Sequence, residues 1–178
     1  PVSADPENPA YERRLRGRVR ALIADLGADG FKIDFTANLP RHVAGRKGGK
    51  LWDIELLRRL LWIIRDEAKK AREDALIIAH TVNPYFADLV DMVRLNDVAI
   101  LPGEDGYAAS MAHRQRVAQA TWRHWLIDAD NWPSPTLDSW LEYMRLQPVL
   151  GVPSLYYVTH IDESGDETAH PSFRYDAV

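Results

Sequence analysis

The stretch that decides the fold is DGFKIDF at residues 29–35, a β-strand pattern with two unlike faces. Side chains alternate along a strand, so the three apolar residues point one way while Lys32 and Asp34 point the other. In a parallel α/β barrel, the carboxyl end of each strand carries the active site. A lysine beside an aspartate also favours the ionised carboxylate that a nucleophile requires. The stretch indicates either a catalytic strand or a plain surface ion pair.

The composition is typical of a folded domain with one substantial core. The chain has 178 residues, of which 46% are hydrophobic and 27% charged, and its net charge is -4. No basic patch alternates with aromatic residues, which argues against nucleic acid, and the apolar runs are too short to cross a membrane. The chain has no cysteine, and its histidines lack metal-ligand spacing. We therefore expect no metal, no cofactor and a cytoplasmic location.

Helix and strand patterns alternate along the chain. Apolar residues at helical spacing predict a helix from Pro9 to Leu26, capped by Asn8 and ended by Gly27. Further helices are predicted at 52–68, 108–123 and 136–150, and further strands at 75–79, 90–96, 125–127 and 152–159. Residues 163–178 are predicted to form a loop or tail. This order predicts an α/β fold with a parallel sheet.

Polar residues follow the predicted strands at their carboxyl ends, where a parallel sheet places its active site. They are Asp34, His80, Arg94, Asp97, Asp128, Asp130, His160 and Asp162. A doubly wound nucleotide fold would place its site there as well, but no glycine-rich phosphate loop follows any strand. A barrel is therefore the stronger prediction.

Several residues also have an ordinary structural interpretation. Trp52 and Trp62 lie in a helical pattern and are predicted to belong to the core. Asp128 and Asp130 could cap a turn instead of serving a substrate. The basic residues of the third helix are predicted to form its solvated face; they are His113, Arg114, Arg116 and Arg123.

Residues 27–35, GADGFKIDF, with Pro40 shortly after, resemble the nucleophile strand of one glycoside hydrolase clan. That clan holds the α-galactosidases and raffinose synthases on one side and the α-glucosidases and α-xylosidases on the other. The resemblance covers residues 5–162 and implies strands four to eight of a (β/α)8 TIM barrel. Residues 1–178 would then form a single partial domain, the C-terminal five-eighths of a barrel of about 250 residues.

The same resemblance implies roles for individual residues. Asp34 would be the nucleophile and Lys32 a group that binds the sugar beside it. Arg94 and Asp130 would bind substrate, and Asp97 would be the acid/base. Asp97 departs from the family, because it follows Arg94 by three residues where the family usually has four. In the α-glucosidase version, Asp130 would be the acid/base instead.

The implied activity is that of a retaining α-glycosidase, most similar to α-galactosidases, with a carbohydrate substrate. Retention requires two carboxyl groups about 5 Å apart, one ionised and one protonated. The alternatives are an α-glucosidase or α-xylosidase with a different acid/base, or a catalytically inactive carbohydrate-binding relative. As an isolated part of a barrel, the chain would be inactive, and its open strand edges would favour association into a homo-oligomer.

Overall fold

The computed structural model describes residues 5–34, 49–96, 103, 105–130 and 137–154. The protein is a mixed α/β structure in which helices and strands alternate along the chain, as predicted. It divides into two compact units. Unit 1 comprises Pro1–Ala79 and Tyr85–Asp91, and unit 2 comprises His80–Pro84 and Met92–Val178. Within the described ranges, no helix has the length and apolar character needed to cross a membrane.

In its described residues, unit 1 consists of helices and strands. The elements in chain order are α1 (Pro9–Arg20), a π-helical turn (Ala21–Asp25), β1 (Gly30–Lys32), α2 (Ile54–Ala71) and β2 (Leu76–Ala79). The ends of the first helical segment agree with the sequence prediction. Asn8 caps α1 through its Oδ1, which accepts from the backbone N–H groups of Ala10 at 2.9 Å and Tyr11 at 3.3 Å. Gly27 follows the π-helical turn with φ 73°, a left-handed conformation that suits glycine.

Ion pairs connect α1 with α2 around the buried carboxylate of Glu67. Arg16 Nη1 lies 3.2 Å from Glu67 Oε2 and 2.5 Å from Asp66 Oδ2, and Arg20 also pairs with Glu67. Burial raises the pKa of Asp66, but hydrogen bonds from Lys70 and Arg16 outweigh it and leave that pKa below its ordinary value. The ionised carboxylate is therefore favoured by folding, and this stabilisation is lost as the pH falls through the lowered pKa.

Strands β1 and β2 pair in parallel, with Gly30 opposite Leu76 and Lys32 opposite Ile78. The backbones come so close at Gly30 that an added Cβ would overlap the main chain of Leu76. Only glycine therefore fits at the start of the strand that carries Lys32.

The described part of unit 2 likewise consists of helices and strands. In chain order they are β3 (Met92–Arg94), α3 (Gly106–Thr121), β4 (Leu126–Asp128) and α4 (Leu137–Leu150). Strands β3 and β4 pair in parallel, with Arg94 opposite Asp128. Val152 then makes a parallel bridge to Asp128, at the position where the sequence predicts another strand. The rest of that predicted strand, and the predicted tail at 163–178, lie outside the described residues.

The prediction that Trp52 and Trp62 belong to the core is wrong. Trp52 precedes α2 and is 57% exposed, and Trp62 is 40% exposed. The guanidinium groups of Arg16 and Arg59 lie over the ring of Trp62. Cation–π contacts therefore stabilise this ring on the outer face of the helix. Helical spacing alone did not distinguish this outer face from the buried one.

Gly30 and Gly17 give opposite predictions for substitution by alanine. Gly30→Ala should lower the free energy of unfolding by about 1–3 kcal/mol or more, because the new methyl group overlaps backbone. Gly17→Ala should raise it by about 0.5–1 kcal/mol, because Gly17 lies in α1 with open space around it. Urea denaturation of both variants measures the difference, and an unchanged stability of Gly30→Ala would contradict the described pairing of β1 with β2.

Candidate functional site

Lys32 and Asp34 lie on the same side of the chain at the carboxyl end of β1. The strand ends at Lys32, and the N–H of Ile33 still donates to the carbonyl of Ile78 at 2.8 Å. Lys32 Nζ lies 3.5 Å from Asp34 Oδ2, and the two side chains are 29% and 39% exposed. Ile33, between them, is more buried. The predicted alternation of the strand is therefore confirmed.

This accessible ion pair contributes little to folding, because exposed pairs are worth about 0–1 kcal/mol. The pair is better suited to a chemical role than to stabilising the fold. The carboxylate of Asp34 is accessible to a substrate and has an ammonium group beside it. The arrangement suits a carboxylate nucleophile with a neighbouring cation.

A second polar cluster lies in unit 2, at the carboxyl ends of β3 and β4. Arg94 is only 2% exposed, and its Nη2 donates to Asp130 Oδ1 at 2.7 Å. Arg94 Nε lies 4.0 Å from Asp128 Oδ2, and Nη1 lies 3.2 Å from Nε2 of His80. A buried arginine needs such partners, because an unpaired charge in the interior costs several kcal/mol.

The backbone after β4 turns sharply to direct Asp130 toward Arg94. Asp130 is fully buried and has φ 60°, a left-handed value that aspartate tolerates better than most residues. Its N–H donates to Asp128 Oδ1 at 2.8 Å, and the hydroxyl of Tyr143 donates to the carbonyl of Ala129 between them. Asp128 therefore does cap the turn, which was the structural alternative in the sequence analysis.

Of the residues named from the sequence, the structure brings together Lys32 with Asp34 in unit 1 and Arg94 with Asp130 in unit 2. Asp97, the predicted acid/base, lies outside the described residues. Strand β3 ends at Arg94, and Asn96 has φ 77°, so the extended strand stops before position 97. Asp130, the alternative acid/base, is buried and accepts a hydrogen bond from an arginine. A buried carboxylate in this position holds the guanidinium of Arg94 in place.

The prediction for the third helix is correct for His113 and Arg116, which are exposed, and wrong for Arg114; Arg123 is exposed but lies beyond the end of α3. Arg114 is half-buried, and its Nη1 donates to the carbonyl of Leu95 at 3.3 Å. A signal for this position was present in the sequence. Arg114 follows the buried Met111 by three residues and precedes the buried Ala118 by four, which places it at the edge of the buried face.

Across the described ranges, no group of three or more His, Asp or Glu side chains is arranged to hold a metal ion. No known protein family, curated protein or solved structure matches this chain.

The two carboxylates should respond differently to the same isosteric change. Asp130→Asn should lower the free energy of unfolding by about 3–5 kcal/mol, because it leaves the buried charge of Arg94 poorly compensated. Asp34→Asn should change it by less than about 1 kcal/mol, because the pair with Lys32 is exposed. Thermal and urea denaturation measure both. Equal losses in the two variants would contradict the structural role assigned to Asp130.

Proposed function

We propose that the protein is a retaining α-glycosidase, most similar in chemistry to α-galactosidases, with Asp34 as the nucleophile. One observation carries this proposal: Asp34 lies two residues beyond the end of a parallel strand, is accessible, and has the ammonium of Lys32 3.5 Å from its carboxylate. The sequence resemblance of this strand to glycosidase nucleophile strands supports the same assignment.

The reaction proceeds in two displacements at the anomeric carbon. In the first, the carboxylate of Asp34 attacks that carbon, the glycosidic bond breaks, and the leaving oxygen takes a proton from the acid/base. A covalent glycosyl ester on Asp34 results. In the second, the acid/base removes a proton from water, the water oxygen attacks the same carbon, and Asp34 is released as carboxylate. Two inversions give net retention.

Lys32 serves this reaction in two ways. Its positive charge stabilises Asp34 in the ionised form that attacks, and its N–H groups can donate to sugar hydroxyls beside the nucleophile. The acid/base is assigned to Asp97 on the resemblance, and Arg94 and Asp130 to the binding of substrate. The burial of Asp130 favours an indirect role in which it holds the guanidinium of Arg94 in place.

Two alternatives remain distinct from this proposal. An α-glucosidase or α-xylosidase would use the same Asp34 ester with a different acid/base. A catalytically inactive carbohydrate-binding relative would bind sugars without forming the ester. The ester on Asp34 separates the second from both enzymes, and the identity of the sugar that forms it separates the enzymes from each other.

The test uses the full-length native protein, treated separately with 5-fluoro-α-galactosyl fluoride and 5-fluoro-α-glucosyl fluoride. Such reagents form the ester rapidly and release it slowly, so the labelled peptide can be identified by mass spectrometry. We expect a one-to-one adduct on the peptide that contains Asp34, with faster labelling by the galactosyl reagent. Faster labelling by the glucosyl reagent would indicate the α-glucosidase alternative.

Asp29 provides a matched control at the opposite end of the same strand. Its side chain is 87% exposed and pairs with Arg72, so Asp29→Asn changes an ordinary surface carboxylate. We expect Asp34→Asn to abolish labelling and to reduce hydrolysis by about a thousandfold or more, and Asp29→Asn to change neither appreciably. A folded protein that binds sugars but forms no adduct with either reagent would contradict the proposal and favour the inactive relative.

A further inference from the structure

Unit 2 contains an open pocket of about 350 Å³ at the carboxyl end of β3. Its polar lining comes from three parts of the unit. Arg94 and Asn96 come from the end of β3, His113 and Arg114 from α3, and His80 from the segment His80–Pro84. This volume lies at the lower end of the range for clefts that hold small molecules.

Arg94 lines this pocket, and two aspartates lie close to its guanidinium. Asp130 accepts from its Nη2 at 2.7 Å, and Asp128 lies near its Nε at 4.0 Å. Neither aspartate is among the lining residues. The Nη1 group instead lies near His80, which does line the pocket. Arg94 is almost fully buried. A hydrogen bond from its guanidinium to a ligand would therefore form in a low-dielectric environment, where such bonds are stronger than in water.

Arg114 supplies a second guanidinium to the same pocket from α3. Its Nη1 donates to the carbonyl of Leu95 at 3.3 Å and contacts the sulfur of Met111 at 3.7 Å. Leu95 is the residue after Arg94, so this bond ties the helix to the end of β3. One arginine therefore lies on the backbone segment Arg94–Leu95, and the other is hydrogen-bonded to it.

Among the described residues, the charged groups that line this pocket are positive. The lining contains two guanidinium groups and two imidazoles, and no Asp or Glu among those described residues. Arginine N–H groups form a planar fork that matches the oxygens of phosphate, sulfate and carboxylate groups.

We propose that this pocket binds an oxyanion, a phosphate, sulfate or carboxylate group, between Arg94 and Arg114. His80 and His113 flank the anion, and Asp130 positions Arg94 without touching the ligand. The anion is either free in solution or a substituent of a sugar. This inference goes beyond the proposed glycosidase activity: it uses Arg94, which that activity assigns to substrate, but it is argued from the pocket lining and not from the glycosidase reaction.

The first test measures binding of inorganic phosphate and of sulfate by calorimetry, at constant ionic strength set with chloride. Arg114→Gln removes one guanidinium from the pocket, and Arg116→Gln is the matched control on the exposed side of the same helix, outside the lining. We expect saturable binding that Arg114→Gln weakens by about tenfold and Arg116→Gln leaves within about twofold.

Arg94 is unsuitable as the main variant because its removal would leave Asp130 buried without its partner. Arg114→Gln therefore carries the test, and His113→Gln adds a second variant at an exposed position of the lining. Binding that falls equally in Arg114→Gln and Arg116→Gln would show general attraction to a basic helix and would overturn the proposal. The absence of saturable binding of either anion would overturn it as well.

A second arm distinguishes the two sources of the anion. Galactose 6-phosphate, galactose and inorganic phosphate are titrated separately into the same protein. Tighter binding of the sugar phosphate than of inorganic phosphate, lost in Arg114→Gln, would assign the site to an anionic sugar. Equal binding of the two phosphates would assign it to the free anion. Binding of neutral galactose that Arg114→Gln weakens as strongly would contradict an anion site.

Discussion

The buried ion pair between Arg94 and Asp130 is the constraint around which unit 2 is arranged at its carboxyl edge. Neither group can lose its partner without a cost of several kcal/mol, because both are removed from water. The left-handed backbone of Asp130, the turn capped by Asp128 and the hydroxyl of Tyr143 all serve to direct one carboxylate at one guanidinium. A fixed guanidinium then becomes available as part of a pocket wall.

The ion pair of unit 1, between Lys32 and Asp34, is accessible to solvent, unlike the buried pair of unit 2. Lys32 and Asp34 are kept accessible by the two-residue period of the strand, and their mutual attraction contributes little to stability. What fixes them is the parallel pairing of β1 with β2, which depends on a glycine at position 30. An exposed charged pair that folding does not require is a candidate for function, whereas the buried pair of unit 2 is required by the fold.

The sequence predicts the elements of this structure well where the signal is local. The cap at Asn8, the glycine at 27 and the alternation from 31 to 34 are set by neighbouring residues, and all three predictions are confirmed. The outward orientation of Trp62 and the half-buried position of Arg114 depend on which helix face meets the rest of its unit. Tertiary packing determines which face is buried, and the spacing of residues along the helix does not by itself identify that face. The assignment of Asp97 and the closed barrel remain predictions.

The central claim is that Asp34 forms a covalent bond to the sugar, and chemical rescue of Asp34→Gly tests it most directly. The substitution removes the carboxylate and leaves a space that azide can enter. With an activated α-galactoside and sodium azide, the variant of the full-length native protein should recover turnover and release β-galactosyl azide, because azide attacks from the face that Asp34 occupied. Hydrolysis by Asp34→Gly at the native rate without azide would contradict the claim, because the reaction would then not need this carboxylate.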